Sequence, residues 1–189
     1  MIISLTGPSG IGKGYISQRI LASNPAIKEL RWLTTRQPRV GQSETNRIFV
    51  SPSVFKKMRN QNQLILVQNL FGFWYGLKKD ELTTENSSVL FTELHVKNLI
   101  RLFHLNITSL VSLGLVANST SFLKTRLEQY RATETSAEIR KRISSAKREQ
   151  KTILKNKHLF SAIVRISQQT EKEVLGVVNS ILVNYLEGN

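Results

Sequence analysis

The stretch Gly7-Pro8-Ser9-Gly10-Ile11-Gly12-Lys13 fits the pattern G-x-x-x-x-G-K. It follows an apolar run at residues 2–6 that is typical of a β-strand, and it precedes apolar residues at helical spacing over 15–22. In this context the pattern predicts a phosphate-binding loop. The glycines let successive backbone N–H groups turn toward a phosphate, and the helix that begins there adds its positive end.

The nucleotide prediction follows from this loop. We expect the phosphates of ATP to bind at the loop and the two residues after it, with the Lys13 ammonium following the β- and γ-phosphates. Gly14 stands where the general motif has Ser or Thr, so this position offers no hydroxyl to a magnesium ion. An ordinary glycine-rich β–α turn is the alternative interpretation. The predicted ATP-binding residues are Gly7, Pro8, Ser9, Gly10, Ile11, Gly12, Lys13, Gly14 and Tyr15.

Length and composition indicate one globular domain. The chain has 189 residues, of which 40% are apolar and 21% charged, enough to bury a core. It contains no cysteine, which excludes disulfides, thiolate metal sites and cysteine nucleophiles. The three histidines have no spacing typical of a metal site or a catalytic triad, so no side chain is predicted as a metal ligand. Without a signal-peptide pattern or a membrane-spanning run, we expect a cytoplasmic protein with no membrane partner.

The charge distribution points to anionic partners. The net charge is +14, which favours phosphorylated metabolites, nucleic acid or acidic membranes. Residues 126–157 hold ten Lys and Arg against four Asp and Glu. This segment is predicted to be helical, and a basic helix can bind nucleic acid. Because it has no interleaved aromatic residues and no recognition motif, nucleic acid is only a minor alternative here.

Strand-like and helix-like segments alternate along the chain, which predicts an α/β fold. The apolar runs at 89–94 and 108–116 are typical of buried parallel strands. We therefore expect a P-loop NTPase-type parallel sheet core flanked by helices. Strands are predicted at residues 2–6, 31–35, 47–50, 64–70, 73–75, 89–94, 108–116 and 159–166, and helices at 15–22, 52–59, 96–103, 119–129, 134–154 and 171–185.

Four further segments occur in a characteristic order. They are Thr34-Thr35-Arg36-Gln37-Pro38-Arg39-Val40-Gly41, Phe49-Val50-Ser51, Trp74-Tyr75-Gly76, and Arg131-Ala132-Thr133-Glu134-Thr135 with Arg140-Lys141-Arg142. Together with the phosphate loop they resemble the guanylate kinase family of P-loop nucleoside monophosphate kinases. That family's patterns are TTRxPRxGE, FVS, YYG, and RGTE followed by KRL. The resemblance covers nearly the whole chain.

The resemblance implies an organisation and an activity. It divides a single domain, 1–189, into a core of 1–32, 88–125 and 158–189, an inserted acceptor-binding lobe at 33–87 and a helical lid at 126–157. The implied activity is ATP-dependent transfer of the γ-phosphoryl group to a nucleoside monophosphate, GMP by default, with Mg²⁺ held mainly by ATP phosphates and water.

The resemblance also implies roles for individual side chains. Arg36, Arg39 and Tyr75 would hold the phosphate of the acceptor. Lys13, Arg131 and Arg142 would be the catalytic residues around the transferring group. Glu93 aligns with the second aspartate of the family's LDxD strand. It is grouped with the substrate-binding residues and is a further candidate to hold the magnesium.

Several positions depart from the family pattern. The acidic residue that reads guanine aligns with Leu66, the serine after YG with Leu77, and a tyrosine before FVS with Arg47. The first aspartate of the LDxD strand aligns with Phe91. A leucine cannot accept a hydrogen bond from guanine, so we expect the acceptor to be recognised more through its phosphate than through its base.

Two further interpretations remain open. A kinase for another phosphorylated acceptor, such as ribose 1,5-bisphosphate, would explain the lost base-reading positions, whereas the TTRxPRxG segment speaks for a nucleotide acceptor. A non-catalytic guanylate kinase-like binding module is the alternative from a different class. The intact loop from Gly7 to Lys13 argues against it, because such modules usually have a degraded loop.

Overall fold

The computed structural model describes residues 1–39, 41, 44–82, 89–105, 109–130, 134–167 and 171–187. The strands are β1 (Ile2–Thr6), β2 (Ile27–Glu29), β3 (Trp32–Thr34), β4 (Arg47–Phe49), β5 (Leu64–Leu70), β6 (Phe73–Lys78), β7 (Val89–Leu94), β8 (Leu110–Ala117) and β9 (Ala162–Ile166). The α-helices are α1 (Lys13–Ser23), α2 (Pro52–Asn60), α3 (Val96–His104), α4 (Thr120–Tyr130), α5 (Ser136–Lys155) and α6 (Glu171–Glu187). Short 3₁₀ helices cover Lys79–Leu82 and Lys157–Leu159.

The strands form two sheets. A five-stranded sheet has the order β2-β7-β1-β8-β9, and a four-stranded sheet has the order β4-β3-β6-β5. The β2–β7, β1–β8 and β8–β9 pairs are parallel. The fold is therefore the predicted α/β type, with a parallel sheet and flanking helices.

One compact unit comprises residues 2–25 and 93–189. Every residue of β1 is buried, and β1 pairs with β8 from Ile2 opposite Leu110 to Thr6 opposite Gly114. Burial on both faces explains why this strand is apolar without alternation. Val96, Val116 and Ile153 form an apolar cluster that joins the start of α3, the end of β8 and α5.

A second compact unit comprises Met1 and residues 26–92. It contains the segment 33–87 that the sequence assigns to the acceptor lobe, together with neighbouring strands. Strands β5 and β6 form a hairpin, and β6 also pairs antiparallel with β3. Leu33, Phe55 and Leu64 form an apolar cluster within this unit. Helix α2 begins as its sequence predicts, since Ser51 Oγ accepts a hydrogen bond from Val54 N–H at 3.3 Å.

The predicted elements differ from the structure at a few places. Strand β2 was not predicted, because three residues are too few to show a pattern, and it is held by its parallel pairing with β7. The last predicted strand, 159–166, begins only at Ala162, because its first residue belongs to a 3₁₀ turn. Strand β6 continues to Lys78, beyond the predicted end at Tyr75. No helix in the described part of the chain has the length and apolar character needed to cross a membrane.

Candidate nucleotide and acceptor sites

The predicted phosphate loop joins the buried strand β1 to helix α1. Gly10 and Gly12 have φ values of +85° and +102°, in the left-handed region that favours glycine. A Cβ atom on Gly10 would lie 2.8 Å from Leu127 Cγ, so space as well as backbone conformation requires glycine there. Helix α1 begins at Lys13, directly after Gly12. The loop therefore has the backbone turn and the helix start that a phosphate site needs.

Lys13 lies against its own loop. Its ammonium donates to the Gly7 carbonyl and, at 3.2 Å, to the Pro8 carbonyl. These two contacts hold a long, flexible side chain in one arrangement beside the N-terminus of α1. The predicted catalytic lysine is thus positioned by backbone oxygens of the loop.

Glu93, near the end of β7, belongs to the surroundings of the same loop. Ser17 Oγ–H donates to Glu93 Oε1 at 2.8 Å, and that oxygen lies 3.9 Å from where a Cβ on Gly14 would be. Oxygen donors of this type are those that Mg²⁺ prefers in proteins. The position that lacks the usual hydroxyl, Gly14, therefore has a carboxylate and a serine hydroxyl beside it. Among the described residues there is no cluster of three or more His, Asp or Glu side chains that would hold a metal ion.

His95, directly after β7, is half-buried and lies close to the buried carboxylate of Glu149 on α5. His95 Nε2 is 3.7 Å from Glu149 Oε1, and the same oxygen accepts from Val96 N–H at 3.4 Å. Burial, together with the positive charges of Lys13 and Lys97, lowers the pKa of His95 to about 4. Burial raises the pKa of Glu149, against the opposing effects of Lys13 and the Val96 N–H. His95 is therefore a neutral, positioned group at neutral pH.

Arg126 on α4 contacts the loop from another direction. Its Nε–H donates to the Gly10 carbonyl at 3.1 Å. Its guanidinium carbon lies 5.5 Å from the ring centroid of Phe122 and 5.4 Å from that of Tyr130. Two cation–π contacts and one hydrogen bond fix this guanidinium at the phosphate loop.

The start of α5 carries the predicted lid residues. Thr135 and Glu138 form a capping box, in which each side chain binds the other's backbone N–H. Arg142 forms a two-pronged ion pair with Glu134: its Nε–H donates to Oε2, and its Nη2 donates to Oε1 at 2.8 Å. Arg131, the other predicted catalytic arginine of this segment, lies outside the described residues.

In the second unit, two predicted acceptor arginines meet on one carboxylate. Arg36 forms a close ion pair with Glu44, and Arg39 lies 3.5 Å from the same oxygen. The Arg39 backbone N–H donates to the other carboxylate oxygen at 3.1 Å. Arg36 and Glu44 side chains are only 13% and 11% exposed, so water screens this pair weakly.

The charge state of Glu44 follows from these contacts. Burial alone would raise the pKa of its carboxyl, but the hydrogen bonds and charges of Arg36 and Arg39 outweigh it and lower the pKa below the ordinary value. Glu44 is therefore ionised at neutral pH. A phosphate bound to Arg36 and Arg39 would share these two arginines with the Glu44 carboxylate.

The remaining acceptor-lobe positions separate into polar and apolar ones. Tyr75 lies in β6, opposite Thr34 of β3, and is partly exposed. Leu66 is buried in the irregular part of β5 with φ of +51°, and Leu77 is 1% exposed. Phe91 in β7 is fully buried. Both leucines that the motifs align with base-reading positions are thus core residues, and they present no polar atom beyond their backbone.

Comparison with known proteins decides the family. The family model described as guanylate kinase matches residues 1–180. The chain belongs to the guanylate kinase family. This confirms the resemblance found in the motifs, and it places the chain among nucleoside monophosphate kinases.

Relatives of this guanylate kinase family member cover most of its length. The guanylate kinase of Clostridioides difficile is 29% identical over 184 residues, which is 95% of this chain and 87% of that protein. The guanylate kinase of Bacillus subtilis is 32% identical over 153 residues, covering 79% and 74% of the two chains. A crystal structure of guanylate kinase from Anaplasma phagocytophilum has a TM-score of 0.74 at 18% identity, over 98% of this chain and 85% of that one. This last likeness shows the shared fold.

Sequence reasoning missed several residues of these sites. Glu44 is the only acidic residue between Glu29 and Asp80, and that isolation within a basic lobe was the available signal. Arg126 entered the prediction only as the edge of a basic segment. Ser17 and Glu149 gave no signal in the sequence, because their partners are distant along the chain. Ser17, for example, is separated from Glu93 by 76 residues.

Proposed function

We propose that this protein transfers the γ-phosphoryl group of ATP to GMP, and that it holds the acceptor mainly by its phosphate. The observation that carries the proposal is the glycine loop itself, with its left-handed Gly10 and Gly12 and with Lys13 at the start of α1. Family membership supports the same reaction class.

Phosphoryl transfer asks little covalent chemistry of a protein. It requires that donor and acceptor oxygens be aligned and that positive charge surround the oxygens of the transferring group. Lys13 and the N–H groups of the loop supply this charge on the ATP side. Arg142 adds to it from the lid segment, and Arg126 orders the loop through the Gly10 carbonyl. Arg131 is proposed for the same role by its motif alone.

Magnesium fits the donor side of this arrangement. Glu93 and Ser17 would hold the ion or its water ligands beside Gly14, with ATP phosphate oxygens as the other ligands. When bound, Mg²⁺ neutralises charge on the β- and γ-phosphates.

On the acceptor side, Arg36, Arg39 and Tyr75 are proposed to bind the phosphate of GMP. Each buried hydrogen-bond partner that is missing costs a polar ligand about 1–3 kcal/mol. With Leu66 and Leu77 at the base-reading positions, guanine gains little over adenine. The same observation favours, as a second candidate, an acceptor that has a phosphate but no base, such as ribose 1,5-bisphosphate.

A phosphoryl-transfer screen tests the proposal. ADP formation from ATP and Mg²⁺ would be measured with GMP, dGMP, AMP and ribose 1,5-bisphosphate, using the wild type and Lys13→Ala. We expect GMP to be phosphorylated and Lys13→Ala to reduce the rate by about 10²–10³-fold, as for loss of one transition-state donor, with an unchanged circular dichroism spectrum. Transfer to none of the acceptors, or an unaffected Lys13→Ala, would overturn it.

A further inference from the structure

Helix α5 carries a row of cations that the proposed transfer reaction does not use. The row consists of five Lys and Arg residues. At 100° and 1.5 Å per residue of α-helix, they occupy roughly 100° of the helix circumference and about 22 Å along its axis. All five are exposed. We call this row the basic stripe, and its members are Arg140, Lys147, Arg148, Lys151 and Lys155.

The basic stripe lies on the opposite side of α5 from the catalytic candidate. Arg142 is about 170° around the helix from the middle of the stripe, and it is half-buried against Glu134. The acidic residues of the helix, Glu138 and Glu149, are also outside the stripe. The apolar face of α5 is occupied by protein, because Ile139, Ala146 and Ile153 are buried.

The stripe is unlike an ordinary solvated helix face. Lys147, Lys151 and Lys155 follow one another at i, i+4 spacing, where like charges destabilise a helix. Helix faces that serve only solubility carry positive and negative charges interspersed with one another. Bound anions along the stripe would remove this repulsion, and a single triphosphate is too short to do so over about 22 Å.

We propose that the basic stripe binds the phosphate backbone of a double-stranded nucleic acid without sequence preference. About six base pairs span its length at 3.4 Å per pair. Helices that bind membrane surfaces pair their cations with an exposed apolar face, whereas the described part of α5 exposes no large apolar side chain. The stripe consists of Lys and Arg, which neutralise phosphates, and this composition is typical of binding that positions a duplex without reading its bases.

Fluorescence anisotropy with labelled 20-base-pair DNA and RNA duplexes tests the proposal. Five phosphate contacts predict that log Kobs falls with log salt with a slope of about −4.5. In the triple variant Lys147→Gln, Arg148→Gln, Lys151→Gln the slope should become less negative by about 2.7. This variant should also bind the duplex at least about tenfold more weakly at 0.1 M salt.

The matched control removes the same charge elsewhere. Lys28→Gln, Lys56→Gln, Lys79→Gln alters three exposed lysines outside α5 and should bind within about twofold of wild type. The variant Lys147→Arg, Lys151→Arg, Lys155→Arg keeps the charge and should retain binding even if the glutamine variant loses helix by circular dichroism. Lys13→Ala should also bind the duplex, so the outcome is independent of phosphoryl transfer.

Three results would overturn the inference. One is the absence of duplex binding by the wild type at 50 mM salt. Non-specific binding has a Kd of about 10⁻⁴–10⁻⁶ M at physiological salt, and it is tighter at lower salt. Another is an equal loss of affinity in the stripe variant and its charge-matched control. The third is binding to phosphatidylserine vesicles but to neither duplex, which would assign the stripe to a membrane surface.

Discussion

At the scale of single residues, Glu44 is the side chain whose role is easiest to test. Its carboxylate holds Arg36 and Arg39 together and is itself nearly buried. The pair of arginines would otherwise repel each other and sample several rotamers. Glu44 is thus a positioning residue for the proposed acceptor phosphate site.

Replacing Glu44 with glutamine removes the charge and keeps the shape. Because Arg36 and Arg39 lose their common anchor, we expect the KM for GMP to rise about tenfold, equivalent to about 1.4 kcal/mol. We expect kcat to change less than twofold. Steady-state ADP formation measures both constants. Asp80→Asn, which removes an exposed carboxylate of the same unit that pairs with Lys78, should leave KM unchanged. A KM that stays the same or falls in Glu44→Gln would show that Glu44 only competes with the phosphate.

His95 predicts a pH dependence of stability. Its pKa is about 4 in the folded protein, below the ordinary 6.5. Between these pH values the unfolded chain binds a proton that the folded protein does not, so stability falls as pH decreases from about 6.5 to about 4, by at most about 3 kcal/mol. Urea unfolding at pH 7 and pH 5 measures this loss.

The control for His95 is a side chain without this proton. His95→Gln should lose less stability between pH 7 and pH 5 than the wild type, whereas His158→Gln, at an exposed position, should behave like the wild type. An equal loss in wild type and His95→Gln would mean that protonation of His95 has no cost in the folded protein, contrary to its half-buried place beside Glu149.

At the scale of elements, α5 is held more firmly at one end than at the other. Gln150 binds both backbone groups of Ala117, accepting from its N–H at 2.9 Å and donating to its carbonyl at 3.1 Å. Glu149 binds the N-terminus of α3 through Val96 N–H. These bonds anchor the second half of the helix, while its first half bears Arg142 and begins at an exposed capping box.

This asymmetry predicts where closure of the proposed lid, residues 126–157, would be visible. With saturating ATP, Mg²⁺ and GMP, hydrogen exchange should slow at residues 136–143 and change little at 146–155, because the second half is already protected by its anchors. Mass spectrometry of exchanged peptides measures both segments, with β8 as a reference that should not change. No slowing at 136–143 under saturation would contradict a lid role for this segment.

Most elements were predictable from the sequence because their signals are local. The glycine loop lies between an apolar run and a helical pattern, and Ser51-Pro52 marks the start of α2. Strand β2 gave no such signal, since its three residues are defined by pairing with β7, some 60 residues later. The side-chain partners were hidden for the same reason, as with Ser17 and Glu93.

At the scale of the whole molecule, the motifs predict that the chain keeps the phosphate-handling groups of its family and changes the positions that would read a base. The family is shown by the match over residues 1–180. Within one compact unit lie the glycine loop, Arg126 and Arg142, and within the other lie Arg36, Arg39 and Glu44. The buried Leu66 and Leu77 belong to the second unit, and they make acceptor selectivity the property in which this protein should differ from its relatives.

The kcat/KM of the wild type for GMP and for AMP, measured by ADP formation, tests whether the acceptor is recognised through its phosphate more than through its base. We predict that both are phosphorylated and that the two values lie within about 100-fold of each other, because missing partners for guanine remove about 1–3 kcal/mol each. A preference for GMP of about 1,000-fold or more, worth about 4 kcal/mol, or no ADP formation with either acceptor, would contradict the account.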